Sequence, residues 1–392
     1  MTSTSAPVDL PSAALASLAL RPLALYVHVP FCAVRCGYCD FNTYAPGETT
    51  ASPASYVTAA LAEIDLAAEV LGNNAPPLDT VFFGGGTPTL LPSSDLVRLL
   101  DRARGAWGLA PSAEVTTEAN PDSVTRESLA ALVDGGFTRI SFGMQSAVPH
   151  VLRVLERTHD PERVAQAVMW AREAGFDQVS LDLIYGTPGE TDQDWQRSLQ
   201  AAVATEPDHV SAYSLIVEDG TALARRVRRH EIAAPDDDQM AAKYLAADAV
   251  LEAAGLEWYE VSNWARPGAR CRHNLHYWRS DNWWGIGPGA HSHIGGVRWW
   301  NLKRPTAYAD RLAAGLSPAQ DREELDPSTR WLERVLLEIR LADGLPMEVL
   351  AERAPQVESL IGDGLVRTRD GHLVLTREGR LLADAVVRRL VD

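Results

Sequence analysis

Between residues 23 and 261, short β-type runs alternate with amphipathic helical stretches, and that alternation narrows the possible folds more than any other feature. Runs at 23–29, 80–83, 114–118, 139–142, 178–184, 209–215 and 258–261 read as strands. Segments 56–70, 94–103, 126–133, 161–174, 195–204 and 239–253 carry apolar residues at helical spacing. Strands joined by helices build βαβ units and a parallel sheet. Six or seven such units fit an α/β fold, a full or incomplete (β/α) barrel, better than two separate sheets. Sheets of this kind place their functional groups at the carboxyl ends of the strands.

The least ordinary words of the sequence fall at those ends. The first strand runs into Cys32-Ala-Val-Arg-Cys-Gly-Tyr-Cys39, the second into Gly84-Gly-Gly-Thr-Pro88 and the third into Glu118-Ala-Asn-Pro121. Gly143-Met-Gln145 follows the fourth, and Asp182 with Gly186-Thr-Pro-Gly189 marks the fifth. Three thiolates so closely spaced can hold three corners of an iron–sulfur cube and leave the fourth iron without a protein ligand. Structural zinc instead wants four closed ligands, usually as two separated pairs, and Cys271 or a histidine would have to complete such a set. A triple glycine lets backbone approach a ligand closely, although it also suits a plain tight turn. This one lacks the Gly-Lys-Ser/Thr of a phosphate loop. Asp182, flanked by apolar residues at a strand end, points to function, because an unpaired buried carboxylate is costly.

A net charge of −16 leaves no excess of positive charge to release counterions, which argues against a nucleic-acid partner. Four cysteines, three of them together, do not make a disulfide framework but a metal site in a reducing compartment. No basic n-region precedes Arg21-Pro22 and no run of about 18 apolar residues occurs, so the expectation is a cytoplasmic chain without signal peptide or membrane span. Residues 1–20, rich in Ser, Ala and Pro, are expected to be a flexible tail. The barrel then spans 21–262, and 263–327, dense in Trp, His, Asn and Gly, reads as an irregular linking segment. From 328 to 392, helices at 331–340 and 347–354, a hairpin about Asp370-Gly371 and a last helix at 378–390 suggest a C-terminal winged-helix-like α+β domain. Its acidic company favours packing or partner contact over DNA reading.

The cysteine segment resembles the CxxxCxxC signature of radical S-adenosylmethionine (SAM) enzymes. With Tyr26-Val-His-Val-Pro-Phe-Cys32, Gly84-Gly-Gly-Thr-Pro88, Gly143-Met-Gln-Ser146 and Asp182-Leu-Ile-Tyr-Gly186, the chain resembles oxygen-independent coproporphyrinogen III oxidases and their relatives. That resemblance implies a [4Fe–4S] cluster on Cys32, Cys36 and Cys39, with the amino and carboxylate groups of SAM on the fourth iron. An electron into the cluster would cleave SAM. The resemblance further implies that Gly85, Gly86 and Thr87 receive the methionine end, that Tyr26 and Glu118 lie near SAM, and that Tyr38 lies near its adenine. Gln145, Arg157 and Asp182 match positions that contact a second SAM in the oxidase. For Arg157, a surface helix charge is the plain alternative.

Two departures separate this chain from the oxidase. Phe41 stands where the oxidase has a fourth cysteine, and the segment before the first strand is shorter. Both fit HemW-type haem chaperones, relatives that bind haem and deliver it to haem proteins. Cys271-Arg-His-Asn-Leu-His-Tyr-Trp278 matches their His-Asn-x-x-Tyr-Trp motif at His273, Asn274, Tyr277 and Trp278. Histidine or cysteine can be an axial haem ligand, and flat aromatics can pack the macrocycle. His273 is then either such a ligand or a satisfied histidine in an aromatic segment closing the barrel's open side. Cys271 and His276 are secondary candidates, followed by His291 and His293. The implied function is haem binding and transfer, with haem as cargo, haem-accepting proteins as partners and a reductant for the cluster. The rivals are oxidative decarboxylation of a porphyrinogen, and an iron–sulfur electron-transfer module without any tetrapyrrole.

Overall fold

A computed structural model describes residues 9–392. Six parallel strands form the centre of its large sheet: β1 (Leu23–Val29), β2 (Leu78–Gly85), β3 (Leu109–Ala119), β4 (Arg139–Gln145), β5 (Gln178–Tyr185) and β6 (His209–Ser214). Beyond β6 the hairpin of β7 (Glu257–Glu260) and β8 (Asn263–Ala265) joins antiparallel, with β8 on β6. On the other side β9 (Asn282–Ile286) runs parallel to β1. β10 (His291–Ile294), β11 (Val297–Asn301) and β12 (Ala319–Glu324) then extend the sheet antiparallel. β12 and β7 are its two edges and do not pair, so the barrel is incomplete.

The two faces of the central strands differ in chemistry. Helix Pro53–Leu71 starts at Ser52, whose side chain accepts from Ser55 N, with proline in the first turn where its missing N–H costs nothing. Its Tyr56, Val57, Ala60, Ile64 and Ala67 recur at three- and four-residue spacing and pack in one core with Leu25, Val27 and Phe83. The alternate strand residues point the other way, and Thr116, Ser141, Ser180 and Ser211 are buried yet polar. Strands of a two-sided parallel sheet normally read as continuous apolar runs. A polar inner face therefore marks a cavity instead of a packed core.

Residues 9–20 depart from the flexible tail expected of 1–20, whose first eight residues lie outside the described ones. Ser12–Ala16 is helical, Ser17–Ala19 is a 3-10 turn, and Leu10, Ala14 and Leu18 join the main core. Leu10 precedes that helix, Ala14 lies within it and Leu18 lies in the turn after it, so the whole segment packs down on the core. Nor is 263–327 irregular: it supplies β8 to β12 with helices Arg272–Trp278 and Pro305–Ala313. Trp284 of β9 and Trp299 of β11 are buried edge to face, 4.8 Å apart, so these tryptophans are core residues of strands.

The C-terminal unit has its own core of Val335, Ile339, Leu345, Leu360, Leu373 and Val386. Helices Pro327–Glu338 and Ala354–Gly362 pack with a small antiparallel sheet of β13 (Leu345–Pro346), β14 (Val366–Arg369) and β15 (His372–Leu375), in a winged-helix-like arrangement. It covers the β7 edge, with Ala342 N donating to Tyr259 O at 2.8 Å. Arg377 and Arg380 meet the buried Asp248 of helix Asp237–Ala253 at 2.6 and 3.2 Å.

Candidate cluster and cofactor site

The chain leaves β1 at Pro30 and folds into a loop over the strand ends. Tyr44 N donates to Pro30 O at 2.7 Å and Cys32 N to Tyr44 O at 3.1 Å, which closes the loop on itself. Asn42 anchors it laterally, its amide donating to Pro288 O and Lys303 O at 2.9 and 2.8 Å. Cys32, Cys36 and Cys39 are free, half-buried thiols on the wall of one cavity. Burial pushes the Cys32 thiol up to about 11 and raises Cys39 too, so a metal centre taking these thiolates must displace their protons. Gly86 lies against the loop: a Cβ there would stand 2.3 Å from Phe31 O and 3.0 Å from Cys32 Sγ. Only glycine permits that approach. Among the described residues no three His, Cys, Asp or Glu side chains converge on one point as the ligands of a single ion do. Three thiols spread along one loop suit a cluster, whose iron corners are separate.

The cavity, of about 590 Å³, runs from the cysteines along the polar inner face. Tyr38, Gly85, Gly86, Thr87, Glu118, Gln145, Arg157 and Asp182 all line it. Tyr26 stands outside that lining, its hydroxyl 3.0 Å from His28 Nδ1 and its ring stacked with Phe82. Glu118 accepts from Gly85 N at 3.1 Å, and burial, then the Asp182 carboxylate, raise it to about 8. Burial raises Asp182 as well, although Ser141 Oγ lies 3.0 Å from both its oxygens. Two half-buried carboxylates, one raising the other, make a seat for a cationic group. Arg157 is no surface charge: it donates to Gly143 O at 2.9 Å, and its Nε is buried without a partner. Gln145 closes β4 with φ +61, a left-handed conformation that non-glycine residues hold mainly at functional sites.

A second, lateral cavity of about 470 Å³ lies between β6, the β7–β8 hairpin, helix Arg272–Trp278 and the C-terminal helix Pro327–Glu338. Val261, Tyr277, Trp278 and Leu337 supply apolar walls, and Glu260, Asn263 and Asn274 polar ones. Asn263 Oδ1 is buried there with no hydrogen-bond partner. Tyr213 and Asn274 line both cavities and so form the partition between them.

Known proteins share this architecture. The sequence model of the Radical SAM superfamily matches residues 26–202, and that of the HemN C-terminal domain matches 325–382. The chain is 53% identical over 388 residues to the heme chaperone HemW of Mycobacterium tuberculosis, covering 98% of each. It is 34% identical to HemW of Bacillus subtilis, covering 92% of this chain and 97% of the relative. The chain belongs to the HemW family. Its fold also matches the coproporphyrinogen III oxidase HemN of Escherichia coli, a radical SAM enzyme, with a TM-score of 0.82 over 99% of this chain and 95% of that one. At 24% identity, that likeness shows the fold alone. Phe41 is 57% exposed on the wall of the first cavity.

The HemW-type motif divides between the two cavities. Asn274, Tyr277 and Trp278 face the lateral one, while Cys271 and Asn274 line the first. His273 lines neither: Nδ1 lies 2.7 Å from Thr80 Oγ1, Nε2 lies 2.8 Å from Tyr277 Oη, and the ring stacks on Phe82. In this conformation neither nitrogen has a lone pair free for iron. His276 bridges Asp79 and Asp281 at 2.9 Å each. His293 lies 2.8 Å from Asp281 O through Nδ1 and accepts from Gly296 N at 3.1 Å through Nε2. Cys271 is buried 3.6 Å from Glu114 Oε1, and burial raises its thiol. His291, exposed and stacked with Trp300, is the one of these four histidines whose ring nitrogens have no hydrogen bond among the described residues.

Sequence reasoning missed Arg139, Ser141, Ser180, His209, Ser211 and Tyr213, all of which line the first cavity. The available signal was polar residues at every second position of otherwise apolar strands, as in Ser180-x-Asp182 and His209-x-Ser211-x-Tyr213.

Proposed function

We propose that this chain is a haem chaperone: it binds haem and passes it to haem-accepting proteins, with a [4Fe–4S] cluster and SAM in the cavity at the strand ends. The observation that carries this reading is similarity over nearly the whole chain to proteins named heme chaperones, together with the Asn274, Tyr277 and Trp278 side chains on the wall of the lateral pocket. Tyr277 and Trp278 are aromatic residues of the pocket wall, and aromatic contacts contribute about 0.5–1.5 kcal/mol beyond area burial. The HemW relatives of Mycobacterium tuberculosis, Bacillus subtilis and Escherichia coli are named heme chaperones. Phe41, where the resemblance to the oxidase implies a fourth thiol, weighs against the oxidase reaction, which stays the alternative.

In the first cavity, Cys32, Cys36 and Cys39 hold the cluster, which supplies one-electron chemistry toward SAM when both are bound. Glu118 partners a cationic group of SAM, the backbone of Gly85, Gly86 and Thr87 receives its methionine end, Tyr38 lies along its adenine, and Asp182 lines the wall that a second SAM would contact. Gln145 and Arg157 complete the wall, and Tyr26 supports it from behind through His28. A reductant serves the cluster, and the charge of −16 disfavours nucleic acid. Clustered free thiols suit the reducing cytoplasm. Among the described residues no helix is long and apolar enough to cross a membrane.

Titration of the anaerobically reconstituted chain with ferric haem tests the reading. The wild type should show a saturable absorption shift at one haem per chain. Trp278→Ala should bind on the order of tenfold more weakly, the effect of losing about 1.4 kcal/mol. A wild type without any haem-dependent shift overturns the proposal.

A further inference from the structure

In the antiparallel extension of the large sheet, β10 and β11 set His291 opposite Trp300. The indole stacks on the imidazole, ring centres 5.8 Å apart and planes 26° from parallel, and so fixes the ring's orientation. Trp283 Nε1 donates to His291 O at 3.1 Å, and Tyr277 of helix Arg272–Trp278 packs edge to face on Trp283 at 4.9 Å. His291 is therefore an exposed imidazole on a braced strand, and among the described residues neither ring nitrogen is hydrogen-bonded. Lys303, three residues past Trp300, acts on that ring by its charge, ahead of Arg298, which is spent on Glu323 and Glu333. Lys303 O accepts from Tyr44 Oη at 3.1 Å, and the charges of Arg304 and Arg35 act on Tyr44. Glu48, the acid that acts on Tyr44 too, accepts from Ala45 N at 2.8 Å. Arg35, Lys303 and Arg304 are all exposed, and among the described residues none has an ion-pair partner. Three unpaired cations together stand out in a chain of charge −16 and make a local seat for anionic groups.

We propose that His291 is the axial ligand of ferric haem, held beside the base of the cysteine loop with its propionates on Lys303, Arg304 and Arg35, a reading that rests on the haem-binding function proposed above. Haem carries the two complements of this surface: an iron that takes an imidazole nitrogen, and carboxylates that take cations. The step is a ligand exchange. The imidazole lone pair forms the bond to Fe(III), the water on the iron leaves with its own electron pair, and nothing is oxidised or reduced. The site is joined to the cysteine loop through Asn42, whose amide holds Pro288 O and Lys303 O. Gly289 lies so close that a Cβ there would stand 2.8 Å from Asn42 Nδ2. Helix Arg272–Trp278 braces the ligand's strand through Tyr277 and Trp283 and does not supply the ligand, since both ring nitrogens of His273 and of His276 are engaged. An exposed imidazole also suits transfer, because a ligand of the acceptor can approach the iron from the open side.

The test uses the full chain, anaerobically reconstituted and titrated with ferric haem, read by absorption and resonance Raman spectroscopy. The wild type should show histidine-bound ferric haem. His291→Ala should lose that signature and bind haem on the order of tenfold more weakly, with an unchanged circular dichroism melt. Added imidazole should restore the signature in this variant. Lys303→Glu should weaken binding while the histidine signature stays, and haem dimethyl ester, which has no free carboxylates, should bind wild type and Lys303→Glu alike. A wild-type spectrum without histidine ligation, or a His291→Ala spectrum identical to wild type, overturns the ligand assignment and leaves haem binding intact. A wild type that binds haem and its diester equally well overturns the cation seat. A wild type that binds no haem overturns the function and the ligand together.

Discussion

Replacing Glu63 by glutamine isolates the cost of a carboxylate buried beneath the cluster loop. Glu63 is 1% exposed in helix Pro53–Leu71, and among the described residues no cation is paired with it. Its oxygens accept from Gly287 N at 2.8 Å, Tyr308 Oη at 2.5 Å and Asn301 Nδ2 at 2.7 Å. Gly287 precedes Pro288, whose carbonyl anchors Asn42 of the cysteine loop, so Glu63 buttresses the candidate site at one remove. Burial outweighs the three hydrogen bonds and pushes this acid up to about 7, against about 4.3 in an unfolded chain. The folded state therefore binds the proton more tightly than the unfolded one. The stabilisation is complete below the unfolded value and is lost as pH rises to the folded one. A rise of roughly 2.7 units, at about 1.4 kcal/mol each, amounts to about 3.7 kcal/mol lost between roughly pH 4.3 and pH 7.

Glutamine keeps the shape and never ionises. Urea unfolding followed by tryptophan fluorescence, for wild type and Glu63→Gln at several pH values, gives the comparison. Other titrating groups cancel in the difference between the two proteins. Wild-type stability relative to the variant should fall by about 3.7 kcal/mol across that window and stay level above it. A difference independent of pH would refute the claim that burial governs Glu63. A difference that grows with pH would mean that a cation stabilises the carboxylate.

Three further outcomes are expected. Cys36→Ser should lose its cluster iron after anaerobic reconstitution, and full iron retention by chemical analysis would refute the ligand set. SAM binding to the reconstituted protein, measured by equilibrium dialysis, should strengthen as pH climbs toward about 8, where Glu118 ionises, and level off above it. Glu118→Gln should remove that dependence, and a wild type with pH-independent affinity would count against the cationic seat. Asp248→Ala removes the buried acceptor of Trp264 Nε1 and the partner of Arg377 and Arg380. Breaking a buried pair from one side costs about 3–5 kcal/mol, and the solvent-facing arginines favour the lower figure, so the urea midpoint should drop clearly. An unchanged midpoint would show that the C-terminal unit docks without this clamp.

The parallel strands and the cysteine and glycine loops were legible because each depends on residues close together in sequence. Period-two and period-3.6 patterns report local geometry, and Cys32, Cys36 and Cys39 share one loop. What sequence reasoning missed depends on distant pairing. His273 owes its two partners to Thr80, 193 residues earlier, and to the turn of helix that brings Tyr277 beneath it. Trp284 and Trp299 looked like loop aromatics because β9 to β12 are short and broken by Gly287, Gly289, Gly295 and Gly296. Ser180, Ser211 and Tyr213 escaped notice because a polar residue in a strand is ordinary until several strands align theirs on one face. Leu10, Ala14 and Leu18 escaped because their apolar face finds its cover only in the folded core.

The most direct test of the central claim gives one anaerobically reconstituted preparation ferric haem in one cell and coproporphyrinogen III with SAM and a reductant in another. The account expects one haem bound per chain in the first cell, released to an added apo-haem protein, and an unchanged porphyrinogen in the second. Vinyl-bearing product formed with 5′-deoxyadenosine in the second cell, and no haem transfer in the first, would contradict it.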